Sequence, residues 1–175
     1  MNGPPRTRVE IEFDIDAALT QLTDRLRVFH KRHPLMIGIH TGGVWVATRL
    51  HRALELAEPL GTLDISFYRD DFTRIGMNPQ VKASELSVPV EDRHVILVDD
   101  VLHTGRTVRA ALNEIFDYGR PASITLACLV DRGGRELPIE AQAVGGHIKL
   151  TRHQHAKLSG GPDGPLELKI QEDGR

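Results

Sequence analysis

The chain has a single cysteine, Cys128, in 175 residues, so no internal disulfide can form. That thiol lies in the apolar run Ser123–Val130, where a free cysteine behaves as a small buried hydrophobe. An excess of charge of either sign is also missing. The formal net charge of −2 argues against a surface that holds nucleic acid by bulk positive charge, and leaves RNA only local contacts. No apolar stretch approaches the roughly 18–20 residues needed to cross a bilayer, and the first residues lack the basic, apolar and small-residue order of a secretory signal. These absences predict a cytoplasmic protein with no membrane partner.

Hydrophobic residues at 40% and charged residues at 26% match an ordinary globular protein, and the length suits one domain over 1–175. Ile15, Leu19, Leu22, Leu26 and Phe29 recur three or four apart, which predicts one amphipathic helix across 14–32. Leu35-Met36-Ile37-Gly38-Ile39 reads as a buried strand that ends in Thr41-Gly42-Gly43 and feeds a helix reaching Leu56. The same grammar recurs. Strands are expected over Leu63–Tyr68, His94–Val98 and Ser123–Val130, with a helix over Thr107–Tyr118. Buried strands alternating with helices imply an α/β fold, a parallel sheet with helices on both faces. The polar connection from Arg69 to Lys82, with Gly76 and Asn78-Pro79, is long for a compact domain and predicts a lid over 69–83. Residues 1–13 read as a loose N-terminus. Short segments around Ala141–Val144 and Leu166–Ile170 read as a small hood of strands within 131–175.

The chemistry concentrates after the strand His94–Val98. Asp99 and Asp100 stand at its carboxyl end, where open α/β sheets place ligands. Thr104-Gly105-Arg106-Thr107 then opens a helix, so backbone N–H groups and two hydroxyls can converge on one anion. Gly105 permits close backbone approach. The two halves want opposite ligands, because carboxylates accept from hydroxyls or hold a cation while the amide cradle takes a phosphate. A sugar 5-phosphate with a free 2,3-diol satisfies both.

The run Val98-Asp99-Asp100-Val101-Leu102-His103-Thr104-Gly105-Arg106-Thr107-Val108-Arg109-Ala110 resembles the signature of type I phosphoribosyltransferases. With Ser66-Phe67-Tyr68-Arg69-Asp70-Asp71 and Leu129-Val130-Asp131-Arg132-Gly133-Gly134-Arg135-Glu136-Leu137-Pro138, it is closely similar to the PyrR family from about Gly38 to Val144. That resemblance implies the type I phosphoribosyltransferase fold with a hood of N- and C-terminal segments. It implies a uracil phosphoribosyltransferase that converts uracil and 5-phosphoribosyl-1-pyrophosphate (PRPP) to UMP and pyrophosphate, working as a homodimer with Mg²⁺. In some bacteria such proteins also regulate pyrimidine-operon expression by binding messenger RNA. A nucleotide-sensing RNA-binding regulator with little catalysis, and a purine phosphoribosyltransferase, are the competing readings.

Carried onto this chain, the resemblance gives catalytic roles to Asp99, Asp100 and Arg69. It assigns ribose and 5-phosphate binding to Asp99, Asp100, Val101, Leu102, His103, Thr104, Gly105, Arg106 and Thr107. His40, Thr41, Gly42 and Gly43 would face the pyrophosphate, Arg69, Asp70, Asp71 and Lys82 would close over it, and Asp131 and Arg132 would lie near the base. Magnesium would arrive with PRPP, with Asp99 and Asp100 as its candidate protein ligands. The position of Asp131 is usually lysine in purine-salvage relatives, so an acid there implies discrimination against oxopurines. His103 is expected to be a spacer or stacking residue, and His153 and His155 to be solvated. The chain also departs from the family. Many members carry Thr-Arg-Gly where this chain has Thr41-Gly42-Gly43, which predicts slow turnover, and Asp24, Glu140 and Gly146 stand where RNA-binding members have basic residues or histidine.

Overall fold

The computed structural model describes residues 11–66 and 84–173. The predicted lid, including Arg69, Asp70, Asp71 and Lys82, therefore lies outside the described residues, as do Phe67 and Tyr68. Five strands form one parallel sheet: β1 (Leu35–Ile39), β2 (Gly61–Leu63), β3 (His94–Leu102), β4 (Ser123–Asp131) and β5 (Ala143–His147), in the order β2-β1-β3-β4-β5. Helices cover both of its faces, as expected of strands buried on two sides. On one, α1 (Ile15–Leu26) and α2 (Gly42–Ala53) bury Leu22, Leu26, Val46 and Leu50 against Ile96, Val98, Ala127 and Leu129. On the other, α3 (Arg106–Tyr118) buries Val108, Ala111 and Ile115 against Ile37, Val95, Leu97 and Cys128. Burying a Leu or Ile side chain this completely contributes about 1.5–3 kcal/mol. Cys128 is free and buried, and burial pushes its thiol well above the ordinary value.

Several boundaries differ from expectation. The first helix stops at Leu26 and tightens into a 3₁₀ segment, Arg27–Arg32, before Pro34, which cannot continue a helix. The strand expected over Leu63–Tyr68 is instead Gly61–Leu63, because the Asp64 carboxylate accepts from both the amide and the hydroxyl of Ser66 and turns the chain out of the ladder. Segment Ala141–Val144 was expected in the hood, yet the chain there forms β5 and adds to β4 in parallel. Gly145 and Gly146 make that edge possible. A Cβ at Gly145 would stand 2.6 Å from the Leu129 carbonyl oxygen, and one at Gly146 would stand 2.6 Å from the Phe13 ring. Gly146 is thus covered by Phe13 and offers no room for an RNA-contacting side chain. The polar stretch containing His155 proves to be a strand: β6 (Gln154–Ser159) pairs antiparallel with β7 (Glu167–Glu172) in a separate hairpin.

One buried acid on α3 is not used by the sheet. Glu114 Oε1 accepts from the Ser84 hydroxyl, while Oε2 is buried with no partner. Burial pushes its carboxyl above the ordinary value; the Ser84 hydrogen bond opposes this, and Asp64 and Asp117 reinforce it. The folded protein therefore keeps a proton that the unfolded chain has already lost, so stability is fullest below the unfolded carboxylate value and falls as pH rises through the raised folded value. Glu114→Gln cannot lose that proton. Urea unfolding at about pH 5 and about pH 8 should show the wild type losing stability over that window and Glu114→Gln losing less; equal losses would contradict the assignment.

Candidate functional site

The strand order reverses between β1 and β3, and in open parallel sheets ligands bind at such a crevice beyond the carboxyl ends of the strands. Register places the ends of four strands there: Ile39 aligns with Leu63, and Leu102 with Asp131. A cavity of about 850 Å³ opens at this edge. His40, Thr41, Gly42 and Trp45 line it from β1 and α2, Asp64, Ile65 and Ser66 from beyond β2, and Asp100, Val101 and His103 from β3. Arg132, following β4, completes the wall together with hairpin residues that include His155, Lys157 and Gln171.

The two acids are not equivalent. Neighbouring residues on a strand point to opposite faces. Asp100 lines the cavity, whereas Asp99 is 4% exposed and its Oδ1 accepts from the Asp100 amide at 2.9 Å. Asp100 Oδ1 accepts from the Val101 amide at 2.9 Å, and Oδ2 stands over Gly42, where a Cβ would lie only 2.1 Å from it. Gly43 is crowded by backbone instead: a Cβ there would meet the Val98 carbonyl oxygen at 2.7 Å and Asp99 Cα at 3.1 Å. The first turn of α2 thus lies directly on the end of β3, with glycine at the two contact points. The His40–Thr41 peptide in this loop is cis.

Beyond β3, Gly105 caps α3 at φ +91, a backbone region natural to glycine. Thr104 Oγ1 accepts from the Arg106 amide at 3.2 Å, and the Gly105 and Thr107 amides belong to the first turn, whose N–H groups have no intrahelical acceptor. The loop is braced from outside. Glu136 and Leu137 donate their amides to the Thr104 carbonyl, the Arg106 guanidinium pairs with Glu136 at 2.7 Å, and Ile139 packs against Gly105. Arg135 binds the Asp131 carboxylate and the carbonyls of His103 and Ile139. From sequence, Arg135-Glu136-Leu137-Pro138 is a family marker with Arg135 a basic residue retained on the RNA-binding face, yet this segment is the brace that holds the phosphate-type loop. Because three groups of the protein engage its guanidinium, Arg135 is occupied within the fold.

The structure brings His40, Thr41, Gly42, Asp100, Val101, His103 and Arg132 to one cavity. Leu102, Thr104–Thr107 and Asp131 are not among the residues that line it. Asp131 caps the following turn, accepting from the Gly133 amide at 2.9 Å while Oδ2 takes Arg135. Burial alone would raise its carboxyl, but the Arg135 and Gly133 hydrogen bonds outweigh that and hold it below the usual carboxylate range. His103 Nδ1 lies 2.9 Å from the Gly133 carbonyl oxygen, an acceptor only, so Nδ1 carries a hydrogen and donates it. His155 is paired with Asp173 at 2.8 Å, and no group of three or more metal-ligating side chains is found among the described residues. Trp45, Asp64, Ser66, Lys157 and Gln171 were missed as wall residues. Of these, Ser66 had stood only at the head of a family motif and Lys157 only among exposed cations.

The phosphoribosyl transferase domain family matches residues 8–158. The bifunctional protein PyrR of Nitrosococcus oceani is 58% identical over 173 residues, covering 98% of this chain and 97% of that protein. The chain belongs to the PyrR family of phosphoribosyltransferases. The PyrR protein of Pseudomonas fluorescens is 57% identical over 139 residues, covering 79% of this chain and 82% of that protein. Among solved structures, a Trypanosoma cruzi hypoxanthine phosphoribosyl transferase superposes with a TM-score of 0.64 at 23% identity, covering 82% of this chain and 80% of that one. A Staphylococcus aureus hypoxanthine phosphoribosyltransferase gives 0.61 at 21% identity, covering 81% and 78%. These last two likenesses show the type I phosphoribosyltransferase fold, and the β2-β1-β3-β4-β5 sheet with its separate hairpin is that fold in this PyrR chain. No described helix is long and apolar enough to cross a membrane.

Proposed function

We propose that this PyrR family member is a uracil phosphoribosyltransferase: a ring nitrogen of uracil displaces pyrophosphate from the anomeric carbon of PRPP to give UMP. One observation carries the reading. Asp100 Oδ2 lies against the glycine loop of α2 on the cavity wall, and the Gly105-capped start of α3 follows the end of β3, so an acceptor for hydroxyls stands between two amide-rich turns. In this reading Asp100 accepts from the ribose diol and Asp99 orients it through the amide they share. Val101 through Thr107 hold the 5-phosphate, and His40–Gly43 face the pyrophosphate. Arg132 meets the base, and Asp131 acts one step removed by fixing the Gly133 turn against His103. Arg69, Asp70, Asp71 and Lys82 complete the leaving-group side.

Positive charge develops on the ribose as the leaving group departs, by analogy with glycoside cleavage, and a carboxylate beside the ring stabilises it. Asp64 and Asp100, both on the cavity wall, are hard oxygen donors that suit Mg²⁺. Bound with PRPP, that ion would neutralise pyrophosphate charge, with Asp100 and the substrate phosphates as its ligands. The loose N-terminus expected over 1–13 does not extend through its described end, where Ile11 and Phe13 pack against the core; we further infer one domain over 1–175, with a lid at 69–83 and a hood within 131–175, acting as a cytoplasmic homodimer.

Product formation from labelled PRPP with uracil, hypoxanthine and guanine tests the reading. Uracil should be the preferred acceptor, and preference for either purine would overturn it. A second activity is favoured by the PyrR relatives, which are bifunctional proteins. Exposed Arg25, Arg27, Lys31 and Arg32 on α1 and its 3₁₀ extension supply local cations for an RNA backbone, although exposed Asp24 and Glu140 oppose it. Regulation of pyrimidine-operon expression predicts a salt-dependent mobility shift of the leader transcript in the presence of UMP; no shift at low salt would limit this chain to catalysis.

A further inference from the structure

A ligand that carries a pyrophosphate and a second phosphate needs cations, and the loop after β1 supplies none. Gly42 cannot be the attachment point of one, because its Cα lies directly under Asp100 Oδ2. Among the described residues that line the cavity, histidines aside, the cations are Arg132 and Lys157. Arg132 is only partly engaged, with Nη2 donating to the Thr151 carbonyl at 3.3 Å and Nε buried without a partner among the described residues, and the proposed function places it at the base. Lys157 is exposed and makes no ion pair with a described residue.

On β6, Ala156 and Leu158 pack into the core that includes Ile170 of β7, and His155 and Lys157 alternate with them; all four border the cavity, where the strand runs along its edge. Gln171 pairs directly across from His155, and all three polar residues line the cavity. The hairpin is fastened to the helix that carries the glycine loop. The Arg49 guanidinium donates to the carbonyls of Trp45, Gly161 and Gly164, and Arg52 pairs with Asp163 at 2.7 Å. Arg49 and Arg52 thus tie the β6–β7 turn to α2, whose first turn faces Asp100.

We propose that Lys157 binds the pyrophosphate of PRPP from the hood, supplying the cation that Thr41-Gly42-Gly43 lacks. The proposal rests on the reading of this cavity as a PRPP site. Lys157 lines one cavity with His40, Thr41 and Gly42 on the pyrophosphate side, Val101 and His103 on the 5-phosphate side and Arg132 on the base side; the pyrophosphate is singled out because its glycine loop offers no cation of its own.

The test compares the full chain with Lys157→Met, Lys157→Arg and Lys169→Met, the last removing a lysine that faces Lys157 across the hairpin but pairs with Glu167 at 3.4 Å. Inorganic pyrophosphate, PRPP with magnesium, and ribose 5-phosphate are titrated into each. Lys157→Met should weaken pyrophosphate and PRPP about tenfold or more, about 1.4 kcal/mol, and leave ribose 5-phosphate and the KM for uracil unchanged. Lys157→Arg should stay within about threefold of wild type, and Lys169→Met should match it. Unchanged pyrophosphate binding in Lys157→Met, or an equal loss in Lys169→Met, overturns the proposal while a wild type active on uracil keeps the enzyme reading. Wild-type binding of pyrophosphate, lost in Lys157→Met, without any turnover of PRPP would support an anion contact at Lys157 and overturn the enzyme reading instead. Wild type that binds neither ligand overturns both.

Discussion

Asp100→Asn is expected to lower kcat/KM about 10³-fold, about 4 kcal/mol of transition-state stabilisation, with the fold intact. Asn keeps an oxygen for the Val101 amide, now accepted by Oδ1, so the local backbone survives. What it loses is the negative charge on the one acid of the pair that reaches the cavity. Asp99→Asn should be milder for catalysis, because the residue is buried and its described role, accepting the Asp100 amide, is one that an amide oxygen can also fill. Steady-state kinetics beside thermal unfolding of the two variants checks this ordering. Equal losses from both would mean that the acids act as one unit and that their opposite orientations carry no functional difference.

Gly42→Ala should lower kcat/KM about 10²-fold while changing Tm little, and Gly43→Ala should do the reverse, costing about 1–3 kcal/mol of stability. The distinction follows from what a new Cβ meets. At Gly42 it meets the end of a side chain, Asp100 Oδ2 at 2.1 Å and Cγ at 2.7 Å, and that carboxylate can rotate away at small cost to the fold. Rotation removes it from the cavity wall. At Gly43 the new atom meets backbone, the Val98 carbonyl oxygen and Asp99 Cα, and neither can move without shifting β3, the central strand of the sheet. The same contact bears on the family's Thr-Arg-Gly pattern, since an arginine grafted at Gly42 would displace Asp100 rather than simply add a cation. Measuring activity and unfolding midpoint for both alanine variants separates the two effects.

The parallel sheet and the helices on its two faces were legible because each rests on a local pattern, and the acids expected at the end of β3 bring one of their number, Asp100, to a cavity wall. Leu35–Ile39 is apolar and bounded by a turn, and its limits matched the structure to the residue. Asp99 and Asp100 were legible as a pair, but their division of labour was not, since only the pleat of an extended β3 turns one inward and the other toward the cavity. The hairpin was partly hidden. Leu166–Ile170 showed as a short strand-like segment, whereas β6 places just Ala156 and Leu158 inward among polar residues, and its importance comes from the tether that Arg49 makes to residues more than a hundred positions away. Asp131 shows the converse. Its place at the end of β4 suggested a base contact, but Arg135, four residues on, captures its carboxylate, a pairing that depends on the turn at Gly133 and Gly134.

Binding of PRPP is the property on which the whole assignment turns. Titrating PRPP with magnesium into the wild-type chain and following the emission of Trp45, its single tryptophan and a residue of the cavity wall, reads that event directly. A saturable change that is strongly weakened in Asp100→Asn is the predicted result; an unchanged signal in the wild type, with no heat of binding in a parallel calorimetric titration, would contradict it.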